Sequence, residues 1–289
     1  MRDGVAPSYI WLPEGRWDNL LAFLTAHFPE ISPTTWLTRL AKNEVVDQHG
    51  MPLHATSPVR RGMCIWYYRE LEGETPIPFA AQILHQDQDL LVVDKPHFLP
   101  VTPSGRFLHE TLLVRLKKST GLEHLTPIHR LDRETAGVML FSHNPATRGL
   151  YQGLFRQRSM NKTYHALAPA LPQRQFPLTY RSRMEEDTGR FFVMQEVAGA
   201  PNSETLISVL ERRGDLWLYE LQPVTGKKHQ LRLHLASLGA PIVNDSFYPV
   251  ALPCKGDDFS APLQLLAKSL AFDDPQTGER RYFESGKTL

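Results

Sequence analysis

Cysteine is scarce in this sequence, and long apolar runs are absent. The two cysteines, Cys64 and Cys254, lie far apart and outside any metal-like spacing. This pattern argues against a disulfide framework or a zinc site and is typical of a reducing compartment. No stretch approaches the run of about 18 apolar residues that a membrane span requires, and Met1–Gly4 lacks a secretion-signal pattern. We therefore expect a soluble, cytoplasmic, metal-free protein, with no indication of more than a monomer.

Acidic residues are absent from two long windows, although the whole chain is almost neutral, with a formal net charge of +1. No Asp or Glu occurs from Thr135 through Met184 or from Leu221 through Asn244, yet both windows carry several basic residues. One such window would be explained by a solvated basic face. Because the distribution of charge decides polyanion binding more than its sum, two windows favour a nucleic-acid partner.

Length and local composition indicate the domain organisation. A chain of 289 residues with 42% hydrophobic residues suffices for one large domain or two unequal ones. Residues 1–75 are predicted to form a small α/β unit with helices at Leu20–Phe28 and Thr34–Ala41. Residues 76–84 are interpreted as a linker. Residues 85–289 then form the main domain.

The main domain is predicted to be α+β, a mostly antiparallel mixed sheet with flanking helices. Apolar or alternating segments predict strands at Leu90–Val93, Gly137–Phe141, Tyr164–Leu167, Thr205–Leu210 and Trp217–Leu221. Helical spacing predicts helices at His109–Lys118 and Ala146–Arg158.

The segment Leu231–Leu235 is ambiguous, because its apolar residues alternate as in a strand but also form a helical stripe. A glycine and a proline follow at Gly239 and Pro241. Helices commonly end in this way. We therefore predict a helix that begins near Lys228.

The densest polar cluster is HRLDRETAG at residues 129–137, directly before a predicted buried strand. Asp132 lies between Arg130 and Arg133, and nearby positive charge favours an ionised carboxylate. A loop that enters a strand makes such a group available at the edge of a cleft. Spacing alone does not decide, because an Asp among arginines more often belongs to a structural salt-bridge network.

Two further clusters hold candidate functional residues. The sequence TGKKHQLR at residues 225–232 could bind an anion at a helix start, although an ordinary cationic helix start explains it equally. The sequence NKTYHA at residues 161–166 places Tyr164 between Lys162 and His165, two residues and one residue away. Tyr164 could transfer a proton or stack on a base, but a tyrosine at such a place is more often half-buried core.

Taken together, these clusters resemble the RluA-type family of RNA pseudouridine synthases. The similarity runs from about residue 85 to 272, and four motifs in the family's order are far more specific than any single one. The matching segments are Leu90–Pro96 with Pro100–Val101, residues 129–137, Lys162 with Tyr164 and Ala166, and residues 225–234 followed by Gly239, Pro241 and Asp245.

The resemblance implies a cofactor-free isomerisation of uridine in structured tRNA or 23S rRNA. Asp132 would act on the ribose as an anion, either attacking C1′ or removing a proton from C2′. Arg232 would pair with Asp132 and keep it ionised. Tyr164 would lie over a base flipped out of its stack and help to remove the C5 proton. The expected substrate-binding residues are His129, Arg130, Lys162, Lys228, His229, Gln230, Arg148, Arg156 and Arg158.

The chain departs from the family pattern at a few positions. Residues 1–75 resemble only faintly the small S4-type RNA-binding module, with Asn43 in place of its turn glycine, so we expect a degenerate module. Ala136 occupies a position where serine is frequent, and Lys227 one where arginine is frequent. Neither change removes a group that the chemistry needs.

Two other functions remain open at this point. The first is an RNA-binding or RNA-chaperone protein on the same scaffold, which the joint presence of Asp132, Tyr164 and Arg232 disfavours. The second is another carboxylate enzyme such as a glycosidase, which requires two catalytic carboxylates. The only neighbouring carboxylate, Glu134, lies in a loop basic enough to pair it.

Overall fold

The computed structural model describes residues 4–69, 73–190, 192–252 and 256–289. These residues form two compact units. The first contains the described residues up to Glu74 together with Gly105–His109, and the second contains Thr75–Ser104 and Glu110–Leu289. Cys64 is buried and free, and Cys254 lies outside the described residues. Within these ranges, no helix has both the length and the apolar character needed to cross a bilayer.

The first unit is a three-stranded antiparallel sheet with two helices. Its elements are β1 (Ser8–Trp11), α1 (Leu20–His27), α2 (Pro33–Ala41), β2 (Val45–Asp47) and β3 (Cys64–Tyr67), and the strand order is β1-β3-β2. The side chains of Asn19 and Ser32 cap the two helices by accepting hydrogen bonds from backbone N–H groups. Both helices therefore lie where the sequence predicts them.

The second unit is a large mixed sheet with three helices among its described residues. Its first elements are β4 (Gln82–Gln86), β5 (Leu90–Lys95), α3 (Leu112–Thr120), β6 (Thr126–Pro127), β7 (Ala136–Ser142), α4 (Arg148–Arg156) and β8 (Asn161–Pro169). They are followed by β9 (Leu178–Glu186), β10 (Met194–Val197), β11 (Ser203–Arg213), β12 (Leu216–Pro223), α5 (Gln230–Ser237), β13 (Leu265–Asp273) and β14 (Arg280–Glu284). The predicted α+β class is confirmed.

The sheet order brings distant motifs together. It runs β10-β9-β11-β12-β8-β13-β7-β5-β4, so the late strand β13 lies between β7 and β8. Ala267 on β13 is in register with Gly137 on β7 and with Tyr164 on β8, and Tyr164 is in register with Leu221 on β12. The loop before β7, the middle of the sheet and the loop after β12 therefore meet along one row of the sheet.

A close approach of two backbones fixes this row. Gly137 has φ +115°, and a Cβ placed on it would lie 2.2 Å from the carbonyl oxygen of Ala267. Only glycine fits this position without moving a strand. The β7–β13 pair is parallel, and it places the loop that carries Asp132 directly at the sheet.

Apolar side chains hold the helices on the sheet. Leu231 and Leu235 of α5 pack in a buried cluster with Tyr219 of β12, and Tyr151 and Leu154 of α4 belong to a second buried cluster. Each fully buried side chain of this size contributes roughly 1.5–3 kcal/mol. The helices that carry the basic residues are thereby fixed against the sheet.

The element boundaries correct several predictions. Helix α3 begins at Leu112 rather than His109, because Thr111 is its N-cap, and α5 begins at Gln230 rather than Lys228. Helix α4 is shorter at both ends than the predicted Ala146–Arg158. Residues 76–84 belong to the second unit, and their last three residues begin β4. Strands β9, β10, β13 and β14 had no clear signal in the sequence.

Candidate active site

A cavity of about 530 Å³ lies where these loops meet. This volume is within the usual range of small-ligand sites. The side chains around it come from four distant parts of the sequence, and among them are Pro100, His129, Arg130, Asp132, Lys162, Tyr164, Lys228, His229, Gln230 and Arg232. The structure thus brings together the residues of all four motifs.

Asp132 and Arg232 form an ion pair on the wall of the cavity. Nη1 of Arg232 donates a hydrogen bond of 3.2 Å to Oδ2 of Asp132. The Asp132 side chain is 30% exposed, whereas that of Arg232 is 3% exposed. The carboxylate is therefore accessible to a ligand, while the guanidinium lies behind it.

Asp245 holds Arg232 in place. Its carboxylate accepts hydrogen bonds from Nε and Nη2 of Arg232 at 2.8 and 2.7 Å, in the two-pronged geometry that favours arginine. The guanidinium also lies over the rings of Phe247 and Tyr248. Burial opposes the charged form of Arg232, but the bonds to Asp245 and the charge of Asp132 outweigh it and raise its pKa.

His229 faces the other oxygen of Asp132. Its Nε2 lies 3.8 Å from Oδ1 of Asp132, and its Nδ1 lies 3.1 Å from the hydroxyl of Tyr248. That hydroxyl also accepts the backbone N–H of Met194, so Tyr248 links His229 to β10. Burial lowers the pKa of His229 to about 4, with the charge of Asp132 acting in the opposite direction. His229 is therefore a neutral imidazole that faces the carboxylate.

Tyr164 lines the same cavity from the middle of β8. Burial and the nearby charge of Asp132 raise its pKa well above the usual value. The phenol is therefore protonated near neutral pH. Among the described residues its hydroxyl has no hydrogen-bond partner, and it is available to a ligand.

A buried lysine fixes the Asp132 loop from behind. Nζ of Lys95 donates hydrogen bonds of 3.0, 2.9 and 3.0 Å to the carbonyls of Pro96, Leu99 and Arg133. Burial lowers the pKa of Lys95 to about 7, against the opposing charge of Asp132. Three acceptors match the three N–H donors of an ammonium. The lysine ties the residue after Asp132 to the end of β5.

His129 and Arg130 differ in their surroundings. Nε2 of His129 accepts the backbone N–H of Leu140 at 3.1 Å, and its ring stacks on Phe155 at 4.7 Å. Burial lowers the pKa of His129 to about 3, so the ring is neutral. Arg130 is exposed at the cavity rim. Of the two, Arg130 is the more exposed residue.

The remaining predicted substrate-binding residues fall into separate groups. The amide of Gln230 already binds four partners, so we now assign it a structural role between β11 and α5. Lys228 lies 3.9 Å from Glu186 at an exposed site. Arg148 donates to the carbonyl of His124, away from the cavity, and Arg156 is exposed on α4. Arg158 lies by a neighbouring cavity that it shares with Lys162.

The sequence left two supporting residues without a role. Asp245 stood only as a continuation of the basic motif, and Lys95 only as part of the opening strand. A carboxylate in a turn gives no sign of its partner 13 residues earlier. The apolar residues before Lys95 predict a strand, and a proline follows the lysine. Neither feature shows that the ammonium of Lys95 is buried.

Comparisons with known proteins identify the family of this chain. Residues 89–237 match the RNA pseudouridylate synthase family. An uncharacterized RNA pseudouridine synthase of Synechocystis is 29% identical over 79% of this chain and 79% of that protein. The tRNA pseudouridine synthase C of Vibrio vulnificus is 32% identical over 68% of this chain and 86% of that protein.

A solved structure is also similar. The human RNA pseudouridylate synthase domain containing 1 aligns with a TM-score of 0.60 and 26% identity, over 72% of this chain and 84% of that one. The chain spans only 30% of the length of human pseudouridylate synthase RPUSD2, to which it is 34% identical over 170 residues. With the matched family segment and the assembled motifs, the chain belongs to the RNA pseudouridylate synthase family and is an RNA pseudouridine synthase.

Proposed function

We propose that this enzyme isomerises one or more uridines in structured RNA by a mechanism that depends on Asp132, needs no cofactor and requires the target base to be flipped out. Transfer RNA is the favoured substrate, because a related protein is a tRNA pseudouridine synthase, and 23S rRNA is the other. The enzyme would act as a cytoplasmic monomer. The observation that carries the proposal is the accessible Asp132 carboxylate paired with the buried Arg232.

The reaction balances within the nucleotide. The bond from C1′ to N1 breaks, the base turns, C1′ bonds to C5, and the proton lost from C5 is matched by one gained at N1. Asp132 either attacks C1′ or removes a proton from C2′, and both routes need an anion. The hydrogen bond and the charge of Arg232 favour that anion.

We assign Tyr164 to the base. Its raised pKa disfavours a phenolate near neutral pH, so the ring would stack on the uracil and the hydroxyl would relay the C5 proton rather than hold it. In this role the phenol accepts the C5 proton while it gives its own to solvent, and N1 takes a proton from solvent, so the number of protons balances.

The target base must leave its stack to reach this cavity. Extrusion costs a few kcal/mol and least in loops that are already unstacked. Arg130 at the rim could occupy the gap that the base leaves or bind a phosphate. The exposed Arg156 and Lys228 would add phosphate contacts, so binding should weaken steeply with salt.

Tritium release from RNA labelled at uridine C5 tests the proposal, because that hydrogen leaves when C1′ bonds to C5. Wild-type protein should release label from tRNA or rRNA transcripts, and Asp132→Asn should lose about 10³-fold or more of the rate. Tyr164→Phe should bind RNA normally but turn over slowly. The exposed Asp273→Asn is the matched control and should keep full activity.

Two results would contradict the proposal. Normal turnover by Asp132→Asn would remove Asp132 as the catalytic carboxylate, and absence of release from both RNA classes would reject these substrates. Mapping of pseudouridine in total RNA from cells that lack the protein identifies the modified position.

A further inference from the structure

A second cavity, of about 430 Å³, adjoins the active site. The two cavities share a wall made of Phe155, Lys162, Thr225, Gly226 and Lys227. Arg158, Met160, Asn202 and Val224 line the second cavity alone. A ligand that fills the active site can therefore extend into this space.

Three cations line the second cavity, and the carboxylate of Glu204, which already pairs with Arg181, is near enough for the charge of Arg158 to act on it. Throughout the described part of the chain, no ion pair or side-chain hydrogen bond involves Arg158, Lys162 or Lys227. Burial and the charge of Arg158 lower the pKa of Lys162. Like charges that face one concavity repel one another, and an anion between them would relieve that repulsion.

The remaining wall is largely apolar. Phe155, Met160 and Val224 supply it, and Val224 is 44% exposed. The amide of Asn202 bonds to both backbone groups of Met184, which fixes its orientation and uses one of its two N–H donors. An apolar wall beside unpaired cations fits a group that is flat and apolar on one side and anionic on the other. A nucleotide has this chemistry.

The backbone conformation of Arg158 indicates that its side chain has a function. Arg158 follows α4 with φ +58°, in the left-handed region, where glycine or asparagine usually ends a helix. A non-glycine residue in this region costs about 1 kcal/mol or more. Retaining arginine there is explained if its side chain is needed at the cavity beside it.

We propose that the second cavity seats the nucleotide next to the target uridine, with its base on the Met160–Val224 wall and its phosphate against Arg158 and Lys162. This inference rests on the proposed function, because it assigns a second nucleotide to the same RNA. Because the two cavities share a wall, the flipped uridine and its neighbour would lie side by side and would leave the base stack of the RNA together. The enzyme would then hold a dinucleotide rather than a single base.

Binding measurements test this inference without relying on turnover. The probes are a fluorescein-labelled RNA of ten uridines and the same strand with every second base removed, and the readout is the Kd from fluorescence anisotropy at several salt concentrations. In the second probe, no two adjacent nucleotides carry bases. For the wild-type protein we expect the alternately abasic probe to bind at least fivefold more weakly, as the loss of one stacked base requires.

Two variants and a control separate the base from the phosphate. Val224→Trp fills the cavity from an exposed position, so both probes should then bind within twofold of each other. Arg158→Ala should weaken both probes equally and reduce the slope of log Kd against log salt by about 0.7, the value for one single-strand phosphate. Arg280→Ala, which removes an exposed arginine outside both cavities, should change neither probe.

Each alternative outcome overturns the inference. If the two probes bind wild type equally, or if Val224→Trp keeps the difference between them, no neighbouring base is seated in the cavity. An unchanged salt slope in Arg158→Ala removes the phosphate contact. These binding results hold whether or not tritium release succeeds, so failure of the proposed function is distinguishable from failure of the second seat.

Discussion

Replacing Asp245 by asparagine should lower the stability of the protein and the rate of the reaction, but it should leave RNA binding unchanged. Asp245 does not line the cavity, but its fully buried carboxylate makes both short bonds to Arg232. Asparagine keeps the shape of the side chain and removes its charge. The amide oxygen can still accept one hydrogen bond from the guanidinium, which also keeps its bond of 3.2 Å to Asp132, but the amide N–H2 group faces the remaining guanidinium donor and leaves it unsatisfied.

The size of the effect follows from burial. Removing one partner of a buried ion pair costs about 3–5 kcal/mol, since an uncompensated charge stays in the interior. Because Asp132 still faces Arg232, we expect about 3 kcal/mol, which lowers Tm by roughly 6–12 °C for a domain of this size. Loss of orientation at Asp132 should reduce kcat about 10–100-fold, whereas the Kd for RNA should not change.

Urea unfolding measures the free energy of unfolding, calorimetry measures Tm, tritium release measures the rate, and fluorescence anisotropy with labelled RNA measures Kd. Asp273→Asn is the matched control, because Asp273 pairs with Arg280 at 3.1 Å with both side chains at least half exposed. An exposed pair contributes at most about 1 kcal/mol. If Asp245→Asn loses no more stability than Asp273→Asn, the assumed cost of the buried charge is wrong. If kcat is unchanged, Asp245 does not position Arg232 for the reaction.

Two further predictions concern the sheet. His234 is buried between Ser203 and Thr205, and burial lowers its pKa from 6.5 to about 4. The unfolded chain therefore takes up a proton that the folded chain refuses between these values, so stability falls as pH falls from about 6.5 to 4, by up to roughly 3 kcal/mol from this group. His234→Gln should flatten the curve of unfolding free energy against pH, and an equally steep curve in the variant would contradict this cause. Gly137→Ala should cost about 3 kcal/mol or more in urea unfolding, because its Cβ meets the backbone of β13. Gly121→Ala, at φ +71° with open space around it, should cost only about 1 kcal/mol, and equal losses in the two variants would refute the steric explanation.

The sequence allowed the fold class and the main motifs to be predicted, because their signals are local. The helix at α5 is one case, since Gly239 and Pro241 stop a helix whatever lies around them. Asp132 is another, since its motif and strand are contiguous. The family and the enzyme class predicted from these motifs are confirmed.

What could not be predicted depends on long-range pairing. Strand β13 has an apolar pattern that suits many partners, and only the assembled sheet places it between β7 and β8. The role of Asp245 could not be predicted either, because its partner is the guanidinium of Arg232, which lies on a different element, α5. The catalytic role of Asp132 and the S4-like character of residues 1–75 stay proposals.

The position of β13 has a consequence for biosynthesis. The loop that carries Asp132 precedes β7, and Tyr164 lies on β8, yet the strand that lies between β7 and β8 is synthesised about a hundred residues later. A nascent chain that ends before β13 would contain every proposed catalytic side chain. It would lack the strand between β7 and β8 that sets the distance between these side chains. Activity should therefore emerge abruptly when β13 inserts, so that incomplete chains leave cellular RNA untouched.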